Sequence, residues 1–229
     1  MHLLALLATV ATATATALPF VKRDGTCSTA SSSTLAAAKA AFTQAKLVPD
    51  LVPSFDPTLS VQANFNGKQV ALGNSFSATE TLTEPAVSFS AEPGFDPART
   101  KYTIIFTDPD APGPAAPVLK DFLHLIISDA QPSCIINQAR KTLASYQPLT
   151  PLSIAAHRYT FLVYRQPPNY TPPPSINYLP GVRAAFDLNG YVSEGGLTLV
   201  GGNFLREGLG STVCAITPGC TQDGKGYSA

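Results

Sequence analysis

The sequence predicts a mostly β protein, an antiparallel fold with a few helices at its periphery. Two observations predict it. Apolar residues fall in many short runs, several with period-two alternation, and the strand-like and helix-like pieces do not alternate strictly. The 229-residue chain also carries 21 prolines, which suit turns and strand edges and break long helices. No internal repeat or interdomain linker is visible, and the length suits one sizeable domain.

The elements follow in order. Ser33 or Thr34 is the expected cap of a first helix starting at Leu35; residues 36–46 are good helix formers and Pro49 ends them. Val61–Phe65 alternates, Asn66-Gly67 is a strong hairpin signal, and residues 69–72 return. Residues 86–90 alternate again, and residues 102–107 and 122–128 are β-rich. Residues 158–165 are apolar on both faces, as a central strand between two layers requires, and their aromatic and β-branched content argues against a helix. Helices are expected over residues 137–146 and 183–192, separated by a proline-rich loop, 167–180. Residues 197–200 form the last expected strand.

Composition bounds the function. Hydrophobic residues make up 45% of the chain, ample for a core, while charged residues are only 13%, about half the usual soluble share of roughly 25%. Fifteen basic and 15 acidic residues balance. Without a basic run or stripe, nucleic-acid binding has no electrostatic support.

The N-terminus reads as a targeting segment. An apolar stretch runs into an Ala/Thr alternation that ends in Ala15-Thr16-Ala17, a small-x-small cleavage pattern. A signal peptide over residues 1–17 is expected, then a short propeptide, 18–23, closed by the dibasic Lys22-Arg23, then one domain over 24–229. The apolar stretch is shorter than the ~20 residues that span a bilayer. The expectation is a secreted, extracellular protein with no transmembrane segment. Cleavage after Arg23 removes two basic residues and no acidic one, for a net charge near −2.

Four cysteines follow the cleavage site: Cys27, Cys134, Cys214 and Cys220. An even count behind a signal peptide suggests two disulfides, and three pairings are open. A local bridge across Pro218-Gly219 would leave Cys27 to staple the N-terminal segment to Cys134. The spacing matches no zinc motif. Asn169-Tyr170-Thr171 is a candidate glycosylation sequon.

Only two histidines follow the targeting segment. His124 sits inside an apolar strand, and His157 opens another; a polar ring there needs a hydrogen-bond partner. Asp108 and Asp110, punctuated by Pro109 and Pro112, form a rigid turn at a strand end. Alternation puts Asp108 with Asp110, and His157 with Tyr159, on shared faces. If Asp108 holds one ring nitrogen of a histidine, the other can face a pocket, where a protonated ring would favour an anion. A nucleophile elbow, Gly-x-Ser-x-Gly, is absent, and no serine partner for an Asp–His pair is identifiable. The expectation is a binding protein, not an enzyme, without cofactor. Two histidines and a carboxylate also suit a metal.

These segments resemble the phosphatidylethanolamine-binding protein family. Thr107-Asp108-Pro109-Asp110-Ala111-Pro112 resembles its Asp-Pro-Asp-Ala-Pro block. Lys120-Asp121-Phe122-Leu123-His124 is similar to its basic-acidic-aromatic-x-His block. The run His157-Arg158-Tyr159-Thr160-Phe161 resembles its His-Arg-Tyr strand, and a weaker match joins residues 183–187 to Gly202-Asn203-Phe204. The resemblance implies a large antiparallel sheet packed on a smaller one, with peripheral helices. It also implies a small surface pocket for phosphate or a phospholipid head group, built from Asp108, Pro112, His124, His157 and Tyr159 with Asp110 close by, and no metal. Since the family includes carboxypeptidase inhibitors, a serine carboxypeptidase is the alternative partner, met through surface segments. Two departures are visible: residues 148–156 replace a Gly-rich approach to the His-Arg-Tyr strand, and Leu123 stands where a second histidine is common.

Overall fold

A computed structural model describes residues 27–151, 153–174 and 183–210. The expected signal peptide and propeptide, and Cys214 and Cys220, lie outside them. The chain is mostly β. A six-stranded sheet, in the order β3-β9-β8-β5-β6-β7, comprises Ser75–Phe76 (β3), Tyr102–Asp108 (β5), Phe122–Ala130 (β6), Lys141–Ala144 (β7), His157–Arg165 (β8) and Thr198–Glu207 (β9). A three-stranded sheet, β2-β1-β4, comprises Val61–Phe65 (β1), Lys68–Gln69 (β2) and Ala86–Phe89 (β4). All pairs are antiparallel except β3 with β9.

The large sheet is the middle layer, so its strands are apolar on both faces. Tyr102, Ile104 and Phe106 of β5, and Tyr159, Phe161 and Val163 of β8, face the small sheet and pack on Val61, Phe65 and Phe89. Ile105, Leu162 and Tyr164 face the other way, onto the helices Ser32–Gln44 (α1) and Leu188–Glu194 (α3) and the turn Leu47–Asp50 (α2). This is the two-layer burial that residues 158–165 predict. Phe106 and Phe161 stack at 3.9 Å between ring centroids across the β5–β8 pair.

Four expectations change. The first helix starts earlier, at Ser32, because Ser31 is extended and its hydroxyl accepts the Thr34 amide at 3.1 Å. Residues 137–146 are not helical: Asn137 is left-handed (φ 63°), and residues 141–144 pair with the edge of β6. Helix propensity is a weak prior, and an open sheet edge outweighs it. The third helix begins only at Leu188, capped by Asp187, whose carboxylate accepts the Gly190 amide at 2.8 Å. Residues 183–186 instead strap β6: the Arg183 carbonyl accepts the Leu123 amide at 2.8 Å, and the Ala185 amide donates to Leu119. The last strand runs on to Glu207, through Gly201-Gly202. Those glycines signal close approach and not a strand end. A Cβ at Gly202 would lie 2.6 Å from the Phe42 ring of α1 and 3.0 Å from the Phe161 carbonyl.

Cys27 is bonded to Cys134, with Cα atoms 5.3 Å apart. The bridge holds the N-terminal segment beside the β6–β7 connection. Among the described residues, no helix is long and apolar enough to cross a membrane.

Candidate functional site

One end of the large sheet gathers the chemistry. β5 ends at Asp108, β6 and β8 begin near His124 and at His157, and β9 ends at Glu207, which pairs with His157 in register. Alternation turns Asp108, His157, Tyr159 and Glu207 to the face that meets the small sheet. Asp108, His124, His157 and Tyr159 are each at most 3% exposed.

Asp108 is the organiser. Its Oδ2 lies 2.8 Å from Nδ1 of His157, and its Oδ1 accepts the Asp110 amide at 2.8 Å. The sequence leaves open which histidine meets Asp108; the partner is His157. With Nδ1–H donated to Asp108, Nε2 faces outward and meets Ser153 Oγ at 3.0 Å. The His157 ring stacks on Tyr159, 5.8 Å between centroids, and His124 meets Tyr159 edge-on at 5.3 Å. Burial keeps the Tyr159 phenol far above its ordinary pKa, helped by the Asp108, Glu207 and Asp110 charges. It therefore remains a neutral donor.

His124 is not a cation. Burial pulls its pKa down to about 4, aided by the charge of Arg183; its bond to the Gln147 carbonyl and the Asp108 charge oppose this only partly. A carbonyl can only accept, so Nδ1, 2.8 Å from the Gln147 oxygen, carries the ring proton and Nε2 is a bare acceptor. A protonated histidine beside an anion is not what β6 supplies.

Asp110 faces elsewhere. It accepts from Arg158 three times: the amide and Nε at 2.8 Å on Oδ2, and Nη2 at 2.6 Å on Oδ1. The same guanidinium reaches Asp50 and the Ala45 carbonyl, each at 2.8 Å. Asp110 therefore locks the turn after β5 to β8 and to the end of α1. Pro112, after a cis bond, is half-buried in the loop beside Ser153, where a Cβ on Gly113 would lie 3.4 Å from the serine Cβ.

Three residues of the site escape sequence reasoning. Ser153 is partly exposed, the member of the Asp108–His157–Ser153 chain that reaches solvent. Arg183, 2% exposed, donates to the Ser145 carbonyl at 3.1 Å and bears on His124. Glu207 is fully buried; Oε2 accepts from Thr81 at 2.8 Å, and Oε1 has no hydrogen-bond partner among the described residues. Above it, Tyr146 donates to the Thr81 carbonyl. Register alone places Glu207 opposite His157, and its signal in the sequence is weak: an acid at the end of an apolar strand.

Burial pushes the Glu207 carboxyl up to about 7, against the Thr81 bond and with Glu80 reinforcing. A carboxyl raised above its ordinary 4.5 supports the fold fully below that value and loses this as pH rises through about 7. Glu207→Gln is uncharged and keeps an acceptor for Thr81. It is expected to melt above the parent at pH 8, by on the order of 2 kcal/mol in stability, with the gap closing toward pH 4. Melting curves across that range check it, and a gap that stays constant with pH would refute it.

The cluster is closed, not an open pocket. The Ser153 carbonyl accepts the Leu209 amide at 3.0 Å, and the Ser153 hydroxyl reaches the Ala155 carbonyl at 2.7 Å, folding residues 153–155 over His157. Open cavities among the described residues lie elsewhere. One, about 570 Å³, is lined by Asp50, Lys120, Asp121 and Phe186, and another, about 620 Å³, by Phe95, Arg165 and Tyr170. Asn169 is exposed beside the second, with left-handed backbone (φ 63°). Among the described residues no group of three metal-ligating side chains converges.

Comparison with known proteins follows the same blocks. Residues 61–204 match the family model described as phosphatidylethanolamine-binding protein. CEN-like protein 1 of Nicotiana tabacum is 33% identical over 154 residues, 67% of this chain and 82% of that protein. A 26 kDa secreted antigen of Toxocara canis is 35% identical over 128 residues, 55% of this chain and 46% of the antigen. Among solved structures, the carboxypeptidase Y inhibitor in complex with its cognate proteinase superposes with a TM-score of 0.64 at 21% identity, over 76% of this chain and 96% of the inhibitor. A phosphatidylethanolamine-binding protein from Plasmodium vivax gives 0.62 at 21%, over 75% and 97%. At that identity the likeness is one of fold.

Proposed function

The chain belongs to the phosphatidylethanolamine-binding protein family, and from that premise we propose that it is a secreted binding protein for a small oxyanion, a phosphate or phospholipid head group. The observation that carries the reading is the convergence of Asp108, His157, Tyr159 and His124 at one sheet end, inside an otherwise apolar layer. Polar groups gathered there are costly unless they have partners. Tyr159 offers an O–H donor to the anion. Neutral His124 offers a bare Nε2, which accepts a proton that the ligand itself carries. This favours a phosphate or phosphomonoester bearing P–OH over sulfate, which has no proton at neutral pH. Entry requires residues 153–155 to lift from His157.

Calorimetric titration with phosphate, phosphoethanolamine, a short-chain phospholipid and sulfate tests this. Saturable binding is expected for phosphate and phosphoethanolamine, weaker for sulfate and for the phospholipid diester, neither of which carries an acidic O–H at neutral pH, and reduced at least about tenfold in His124→Leu, Tyr159→Phe, which removes two hydrogen bonds to a charged ligand. Equal binding by parent and variant would sink the reading. The alternative, inhibition of a serine carboxypeptidase through surface segments, draws on the carboxypeptidase Y inhibitor only for a shared fold. Titration of such an enzyme with this protein is its test, and activity unchanged at micromolar protein would end it.

A further inference from the structure

We propose that Ser153 is a nucleophile, activated by His157 and oriented through Asp108, that reacts with small acyl esters. Sequence reasoning found an Asp–His pair without a serine. The fold supplies one, four residues before the histidine: Ser153 Oγ lies 3.0 Å from His157 Nε2, and His157 Nδ1 lies 2.8 Å from Asp108 Oδ2. Nucleophile within reach of base, and base held by a third group, is the geometry that activates a hydroxyl, whatever the order of the residues along the chain. The third member is itself fixed, since the Asp110 amide donates to the other Asp108 oxygen.

Exposure grades as such a relay needs. Asp108 and His157 are 2% and 1% exposed, so their pairing is shielded from water, while Ser153 is partly open to solvent. The Ala155 carbonyl, 2.7 Å away, is a second acceptor for the same hydroxyl proton and holds the side-chain rotamer. A small rotation about Cβ–Oγ delivers the proton to Nε2. The charged and titratable groups around the imidazole are Asp108 on β5, His124 on β6, Tyr159 on β8 and Glu207 on β9.

The substrate class follows from the rim. Ile154, next in the chain, is 78% exposed, and Leu209, whose amide is bonded to the Ser153 carbonyl, is 45% exposed, so two exposed aliphatic residues neighbour the serine through the backbone. They suit a short acyl chain. In the reaction, Ser153 Oγ bonds to the ester carbonyl carbon and its proton passes to His157 Nε2. The C–O bond to the alcohol breaks, and the leaving oxygen takes that proton. Water then repeats the sequence on the acyl-serine and releases the acid. General-base assistance contributes about 10²–10⁴-fold, so slow turnover is expected.

The test uses the mature chain with a fluorophosphonate and with p-nitrophenyl butyrate. With the fluorophosphonate, the P–F bond breaks as Ser153 O–P forms, and fluoride leaves. Mass spectrometry is expected to find one adduct, on the peptide containing Ser153, and spectrophotometry to find ester cleavage that the adduct blocks. Ser153→Ala, a mild change at a partly exposed site, should abolish both. Asp108→Asn should slow both at least about 100-fold and alter the pH profile, an effect that loss of packing alone would not produce. Parent protein that gives no adduct, or Ser153→Ala that reacts like the parent, overturns the proposal. Phosphate binding measured on the same samples separates it from the anion reading: binding without adduct ends this inference alone, and adduct without binding ends that one.

Discussion

Arg158→Met is expected to lower folding stability by about 3–5 kcal/mol, the cost of breaking a buried ion pair from one side. The arginine makes three of its bonds to Asp110, whose side chain is 2% exposed, and others to Asp50 and the Ala45 carbonyl. Methionine preserves the volume of the stem and removes the guanidinium. Asp110 then keeps its bond from the residue-158 amide and loses the bidentate partner. The expectation is sharpened by a second substitution. Asp110→Asn removes the orphaned charge, so the double variant should be more stable than Arg158→Met alone, with a coupling of about 0.5–3 kcal/mol. Urea denaturation of the four proteins of the cycle measures it. Additive losses would mean that Arg158 contributes packing and not charge.

The second large effect belongs to the disulfide. Cys27 and Cys134 are separated by 107 residues, and closing a loop of that length restricts the unfolded chain by about 4–5 kcal/mol in the chain-entropy account. Cys27→Ser, Cys134→Ser should lower Tm by on the order of 10 °C, given roughly 2–4 °C per kcal/mol at this size. Among the described residues, two backbone contacts beside the bridge are local to one strand end: the Ala91 amide donates to the Ser28 carbonyl, and Thr29 forms an isolated bridge with Ala91. Loss should therefore appear in the unfolding midpoint while phosphate binding at 20 °C is retained. A shift of only a degree or two would place the stabilisation in residual structure of the unfolded chain.

Much of the architecture was legible because a central strand has a local signature. Residues 102–107, 122–128 and 158–165 are apolar on both faces, β-branched and aromatic, and each became a strand of the middle layer. Failures came where a neighbour outside the window decides. Residues 141–144 are helix formers drawn into a strand by the open edge of β6. Gly201 and Gly202 look like a strand end until Leu59 and Phe42 are brought against them.

The sequence by itself determined the strand identities, the mostly β class, the family-like blocks at Asp108, His124 and His157, and the lack of any electrostatic case for nucleic acid. Those depend on periodicity and residue type, which are local. Only the tertiary structure decided how the polar groups pair. Strand register brought Asp108 to His157 and Glu207 beside it, turned Asp110 to Arg158, and folded Ser153 over the imidazole. A hydrogen bond depends on angstroms between residues far apart in the chain, and that distance exists only once the sheet has closed.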